Sequence, residues 1–196
     1  LMLGYVIFIF VQRFLAINRA KSDTYNELAN NTAMALMKNE QANTDLNNDP
    51  KISGLLNKSD DQKTPFEAIL IDAITVHKNN KDVNKMRKAI ESQGKLQISK
   101  LEQKLNVLAT AAGAAPMIGF LGTVLGMMIV FIDLENSATL ELKVIAPGIM
   151  TAMVTTVGGL IVGIISYMSY NYLVGKIGDI IYKMEAASDK FLSNFN

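Results

Sequence analysis

Apolar and polar positions are spread very unevenly along this chain, and the unevenness predicts its elements. No charged residue occurs in Leu1–Gln12, Leu105–Ile132 or Val144–Gly175, while the segments between them are densely charged. The second and third runs hold 28 and 32 residues, more than the roughly 20 apolar residues that take a helix across a bilayer. Each predicts a transmembrane helix. The first run is too short to span by itself, since a dozen helical residues reach about 18 Å against a hydrocarbon core of about 30 Å. The chain is therefore expected to start inside a first transmembrane helix. A cleaved signal peptide fits less well, because the basic residues follow the apolar stretch instead of preceding it.

Between the first two runs lies a polar region, Arg13–Lys104, with 15 basic and 12 acidic residues. Asparagines crowd its first half, and Asp49-Pro50 and Ser59-Asp60-Asp61 read as turns between helical pieces. Thr64-Pro65-Phe66-Glu67 has the chemistry of a helix start. Thr64 can cap, Pro65 suits the first helical position, and Glu67 can close a capping box. Phe66, Leu70 and Ile74 then share one face. From Val83 the helical period (Met86, Ile90, Leu101, Leu105, Leu108) runs into the second apolar run with Gly94 as its weak point. This predicts one helix from Val83 to Phe131, roughly 70 Å long, which needs neighbours from its own chain or from identical subunits.

The signs of the flanking charges orient the spans. The short connector 133–143 carries Asp133, Glu135 and Glu141 against a single Lys143. Lys85, Arg87, Lys88, Lys95, Lys100 and Lys104 precede the second span, and Lys176 and Lys183 follow the third. The positive-inside rule then puts the long polar region and the tail in the cytoplasm and the N terminus outside. Tyr167, Tyr170 and Tyr172 suit an interfacial belt at the cytoplasmic end of the third span. The expected organisation is the end of a first span (1–12), a cytoplasmic helical region (13–104), a second span (105–132), a periplasmic connector (133–143), a third span (144–175) and a cytoplasmic tail (176–196).

Composition changes the picture only by exclusion. A chain 49% hydrophobic and 19% charged would pass for a soluble domain, but those averages blend empty and crowded stretches. With no cysteine and one histidine, His77, there is no disulfide frame, thiol nucleophile or histidine-rich metal site. His77 on a predicted helix reads as a solvated or partly packed side chain, and Asp60-Asp61 as a solvated turn. No enzyme, metal or cofactor is expected. The net charge of +1 makes no case for nucleic acid.

The polar groups inside the spans are the remaining chemistry. In the second span, Gly119, Gly122, Thr123 and Gly126 fall on one side at helical spacing, after Pro116. In the third, Pro147-Gly148 leads to Thr151, Thr155, Thr156, Gly158, Gly159 and Gly163, and Pro147 suits a first helical turn. Glycines at such spacing permit close helix approach, and a membrane proline frees a carbonyl for a neighbour or a water. Threonines in such helices either bond their own backbone or line a wet path. Thr123 lies about 14 Å from Ile132 and Thr156 about 18 Å from Val144 along their helices, so both fall near the membrane midplane. Neither span holds Asp, Glu, Lys, Arg or His. A titrating ion carrier, if one operates here, has to come from another chain.

The runs LATAAGAAPMIGFLGTVLGMMIVF and VIAPGIMTAMVTTVGGLIVGIISYMSYNYL resemble the two C-terminal spans of the MotA/TolQ/ExbB proton-channel family. The three-span layout is similar to its ExbB/TolQ branch. The resemblance covers Leu105–Leu173; the polar region matches in placement and helical character. It implies an all-α polytopic membrane protein of a Gram-negative inner membrane, with the second and third helices extending into the cytoplasm. It also implies a homo-pentameric ring around a dimer of an ExbD/TolR-like single-span partner, whose transmembrane aspartate carries the ion, and work on TonB-dependent uptake with a TonB-like protein. Thr123 and Thr156 occupy the places of the family's two pore-facing threonines, with Thr151 and Thr155 beside the path. Thr151 stands where many ExbB and TolQ sequences have glutamate. The driving ion, proton or sodium, stays open, and so do a TolQ-like or gliding-type stator and a purely structural scaffold.

Overall fold

The computed structural model describes residues 2–20, 24–42, 49–59, 63–80, 82–135 and 142–195, and every regular element among them is a helix. In chain order these are α1 (Met2–Ala20), α2 (Tyr25–Ala42), α3 (Pro50–Leu56), α4 (Pro65–Asn80), α5 (Val83–Glu102), α6 (Leu105–Glu135) and α7 (Leu142–Ser193). The protein is all-α, and α1, α6 and α7 each have the length and apolar character to cross a membrane. Two compact units share these helices. One takes the chain as far as Phe14 together with Lys104–Val174; the other takes Leu15–Gln103 and Gly175–Asn196.

In the first unit α6 and α7 are apolar around most of their circumference. Buried positions are few, and apart from Leu105, Leu108, Val130 and Leu173 they are small, among them Ala111, Ala115, Gly119, Ala152 and Gly163, while Phe120 (67% exposed) and Met150 (70%) project outward. A helix that exposes such side chains is stable in a hydrocarbon solvent or against other subunits, not in water. Aromatic rings gather at one end: Phe10 and Phe14 of α1 stack at 6.0 Å, and Tyr172 of α7 lies 6.4 and 6.2 Å from them. Tyr172 of the anticipated belt therefore packs on α1, whereas Tyr167 is exposed.

The second unit has an ordinary hydrophobic core. Leu36, Ile52, Phe66, Leu70, Ile74, Met86 and Phe191 are fully buried. Helices α4 and α5 are joined by two residues, which forces them antiparallel, and Asp82 caps α5 by accepting from the backbone N–H groups of Asn84 (2.9 Å) and Lys85 (3.4 Å). The capping box at the start of α4 forms: the Glu67 carboxylate accepts from Thr64 N–H at 2.8 Å, and Thr64 Oγ1 accepts from Glu67 N–H at 3.3 Å. Lys58 adds an ion pair to Glu67 at 2.8 Å. Phe66, Leu70 and Ile74 bury their shared face, with Tyr25 5.2 Å from Phe66. His77 is buried and packs its ring 5.2 Å from Phe195, the packed member of the two readings.

Four expectations are corrected. The single helix from Val83 to Phe131 is two helices: Gln103 is extended and Lys104 adopts φ 62°. Gly94 is not the weak point; it stays helical, and a Cβ there would meet only Ile69 Cδ1 at 4.0 Å. The left-handed conformation costs a non-glycine residue about 1–2 kcal/mol, and Lys104 Nζ donates to Gln12 Oε1 at 3.1 Å. Asp49-Pro50 is a helix start instead of a turn, because Asp49 caps α3 by accepting from Lys51 N–H at 2.9 Å and Pro50 fills its first position. Helix α1 itself runs on past the uncharged Leu1–Gln12 stretch to Ala20, with Ile17 buried. Pro147 lies inside α7, not in its first turn, because that helix begins at Leu142. It therefore withholds one N–H from the ladder. Asp60 and Asp61 lie outside the described residues.

Candidate functional site

The seam between α6 and α7 collects most of the polar and small residues singled out above. A Cβ built on Gly119 would sit 3.0 Å from the Thr155 carbonyl, and one on Gly126 2.6 Å from Ala152 Cβ. On Gly159 it would lie 2.5 Å from the Ala115 carbonyl and 2.9 Å from Gly119 Cα; on Gly163, 2.6 Å from Pro116 Cγ. Gly122 meets Thr155 Oγ1 and Gly148 meets Val130 in the same way. Positions along α6 rise as their partners on α7 fall, so the helices run antiparallel in one register. At Gly159, and less tightly at Gly119, the nearest atoms are the facing backbone, which cannot rotate aside, so glycine is required by space there; at the other four the nearest atom belongs to a side chain. Gly158, one residue away, has nothing within 4 Å.

Pro116 occupies the same seam. Lacking an N–H, it leaves the Ala112 carbonyl without its usual helical donor. That oxygen lies over Gly163, 3.2 Å from where its Cβ would be. Neighbouring helices help to satisfy the backbone groups that a membrane proline frees, and weak Cα–H···O contacts recur at helix–helix interfaces.

The threonines divide into two groups. Thr156 Oγ1 crosses the seam and donates to the Gly119 carbonyl at 3.0 Å. Thr155 Oγ1 donates to its own Ala152 carbonyl at 2.6 Å and also reaches Gly119 O at 3.4 Å. Thr123 and Thr151 bond within their own helices, to Phe120 O at 2.6 Å and Pro147 O at 2.9 Å. The fold thus joins Thr155 and Thr156 to Gly119 and Gly122. Thr123, half-buried one turn further along α6, opens on a shallow groove of about 620 Å³ with Val124, Met127, Met128, Phe131, Ile132 and, at its end, Glu135.

Ala115, Ala152 and Val130 belong to the seam as much as the glycines do, and the sequence reading passed over them. Ala115 precedes Gly119 by four residues, a small-xxx-small signal on the same face. Nothing local marks Val130. Ser166, fully buried on α7, donates to Val162 O at 2.7 Å and closes the row. No group of three or more potential metal ligands occurs among the described residues.

The seam lies within a stretch of chain that matches known proteins. Residues 61–186, nearly two thirds of the chain and all of α4, α5 and α6, match the profile of the MotA/TolQ/ExbB proton channel family. The chain belongs to that family. Its relatives place it on the ExbB/TolQ branch. The biopolymer transport protein ExbB of Aquifex aeolicus is 38% identical over 95 residues, 48% of this chain and 64% of that protein. An ExbB homolog of Methanothermobacter thermautotrophicus is 32% identical over 123 residues, 63% of this chain and 43% of its own. The Tol-Pal system protein TolQ of Haemophilus influenzae is 38% identical over 84 residues, 43% of this chain and 37% of its own. The chain thus spans between about a third and two thirds of these relatives' lengths. As a family member, it presents the seam on its two most apolar helices, within the matched region.

Proposed function

We propose that this chain is an ion-conducting ring subunit of an inner-membrane motor that draws on the proton-motive force. The observation that carries the reading is chemical. Thr123, Thr151, Thr155 and Thr156 place hydroxyls deep in two spans that contain no ionisable residue. Hydroxyls can pass or hold an ion but cannot take up a proton by titration near neutral pH. The titrating group then belongs to a second chain, an ExbD/TolR-like single-span helix bearing a carboxyl. Five copies of this chain around a dimer of that partner would cover the exposed apolar faces of α6 and α7. The signs of the charges at the helix ends support a periplasmic N terminus and a cytoplasmic C terminus. The names of the relatives support work in biopolymer transport, for which TonB-dependent uptake is the process proposed, or in a Tol-Pal-like system.

The test is ion flux in proteoliposomes holding the complex with its single-span partner. Flux that disappears when the partner's intramembrane aspartate becomes asparagine is the expected result. A second reading, a structural scaffold, draws on one observation: all four of these hydroxyls already bond backbone carbonyls. A complex that assembles fully and passes no ion would favour it. The identity of the co-purifying partner separates an ExbB-like from a TolQ-like role.

A further inference from the structure

Within the second unit, a groove between α5 and the last turns of α7 repeats one spacing on both of its walls. Arg87, Gly94 and Ile98 line it from α5, and Ile181, Ser188 and Leu192 from α7, each set at i, i+7 and i+11. That is three turns, about 16 Å of helix, around a space of about 370 Å³. The middle is hollow because the residue at i+7 is small on both walls. A Cβ on Gly94 would meet only Ile69 Cδ1, at 4.0 Å. Ser188, though buried, makes no hydrogen bond among the described residues. Such a hole takes one large side chain from a third helix, as a knob enters a hole in a coiled coil.

The outer face of α2 carries the matching knob. Glu27, Met34 and Lys38 stand at the same i, i+7 and i+11 spacing. Met34, 62% exposed, is the most exposed large apolar side chain among the described residues of α2 to α5. Ala29, Ala33 and Leu36 on the opposite face are fully buried, and α2 packs against α3 and α4, so the Met34 face points away from its own chain. We propose that α2 of one copy docks in the α5/α7 groove of the next, seating Met34 over Gly94 and Ser188. Charge complementarity picks out this occupant. With Met34 in the hole and α2 parallel to α5, Glu27 comes level with Arg87. Lys38, one turn past the hole, then faces the α7 edge that carries Glu185 and Asp189. None of these five charged side chains has an ion pair within its own chain among the described residues. The Met34 sulfur is a weak acceptor for the Ser188 hydroxyl. Because the two patches differ, each copy offers α2 to one neighbour and its groove to the other, the heterologous kind of contact that closes rings. The contact rests on the ring proposed above and adds to it a surface outside the uncharged spans.

The chain has no cysteine, so thiol cross-linking reads the contact directly in the complex of the full chain with its single-span partner. A chain carrying both Met34→Cys and Ser188→Cys is expected to give a ladder of linked copies with a short bis-maleimide. A mixture of the two single variants should give linked pairs only, and either single variant alone none. Gly94→Leu fills the hole, so adding it should abolish the ladder while resistance to proteolysis is unchanged. Lys38→Glu should lower the linked fraction about fivefold, the scale of one exposed ion pair, and reversing Glu185 and Asp189 to lysine should restore it. Linkage within one chain, linkage of Met34→Cys to itself, or a ladder that survives Gly94→Leu overturns the contact. So does the absence of linkage in a complex whose mass shows several copies, which leaves the ring standing. A complex whose mass shows a single copy overturns the ring itself.

Discussion

Gly158 and Gly159 are neighbours on α7 with opposite surroundings, and replacing each by alanine isolates what the seam contributes. Both changes gain about 0.5–1 kcal/mol, because glycine is a poor helix residue. At Gly158 nothing lies within 4 Å of the new methyl, so that gain stands alone. At Gly159 the methyl would lie 2.5 Å from the Ala115 carbonyl and 2.9 Å from Gly119 Cα, and backbone cannot rotate aside. Restoring an ordinary contact of 3.4 Å from 2.5 Å requires the helices to part by about 0.9 Å. The Thr156–Gly119 bond, now 3.0 Å, would stretch beyond hydrogen-bonding distance. Overpacking of this kind costs about 1–3 kcal/mol, and the lost bond about 0.5–1.5 kcal/mol. Set against the helix gain, Gly159→Ala is expected to destabilise by about 2 kcal/mol, while Gly158→Ala is neutral or mildly stabilising. Thermal unfolding of the two variants in the same detergent measures the difference. A companion Thr156→Val change should cost clearly less in the Gly159→Ala background than in the wild type, because the bond it removes is already broken. If Gly159→Ala unfolds within about 0.5 kcal/mol of Gly158→Ala, the close approach of α6 and α7 derived above is wrong.

Three further changes probe the rest of the molecule. Thr64→Ala removes one half of the capping box and should cost about 1 kcal/mol; Glu67→Ala should cost more, because it also releases Lys58, and faster amide exchange confined to the first turn of α4 would locate the loss. Lys104→Val should destabilise by about 1–2 kcal/mol, since a β-branched residue strains at φ 62°, whereas Lys104→Gly should be tolerated; equal melting temperatures for the two would contradict a left-handed break. Phe191→Ala empties a fully buried site on the last turns of α7 and should cost about 3–5 kcal/mol, read as increased proteolysis of the second unit; an unchanged digestion pattern would place Phe191 outside the core.

Much of the architecture is written in short stretches of sequence. The uncharged runs after Lys104 and Lys143 are long enough to specify α6 and α7 without reference to anything else. The capping box at Thr64 is likewise a local device, satisfied within four residues. The small-residue spacing of Gly119, Gly122 and Gly126 announces a packing face, though not its partner. By contrast, the break at Gln103–Lys104 has no glycine or proline to announce it, and the apolar period runs through it. Gly94, the residue with the conventional breaker chemistry, remains helical. Arg13 closes the uncharged run but not α1, because a single charge does not stop a helix whose buried face is continued by Ile17 and Ala20.

The sequence by itself determined where helices must lie in an apolar solvent, which residue types their uncharged runs carry, and that no titrating group is among them. These follow from run length and composition, which are properties of a segment alone. Only the tertiary structure decided which positions meet: Gly119 with Thr156 and Gly159, Gly126 with Ala152, Pro116 with Gly163. Register between two helices is set by the fit of surfaces far apart in the chain, 26 residues for Gly126 and Ala152 and 47 for Pro116 and Gly163, and several alignments of the same small residues are compatible with one sequence pattern. The directions of the hydroxyl protons are decided there too, since a threonine can bond back within its own helix or across to a neighbour. Thr123 takes the first course and Thr156 the second. Distance and backbone proximity, which no linear pattern contains, make that choice.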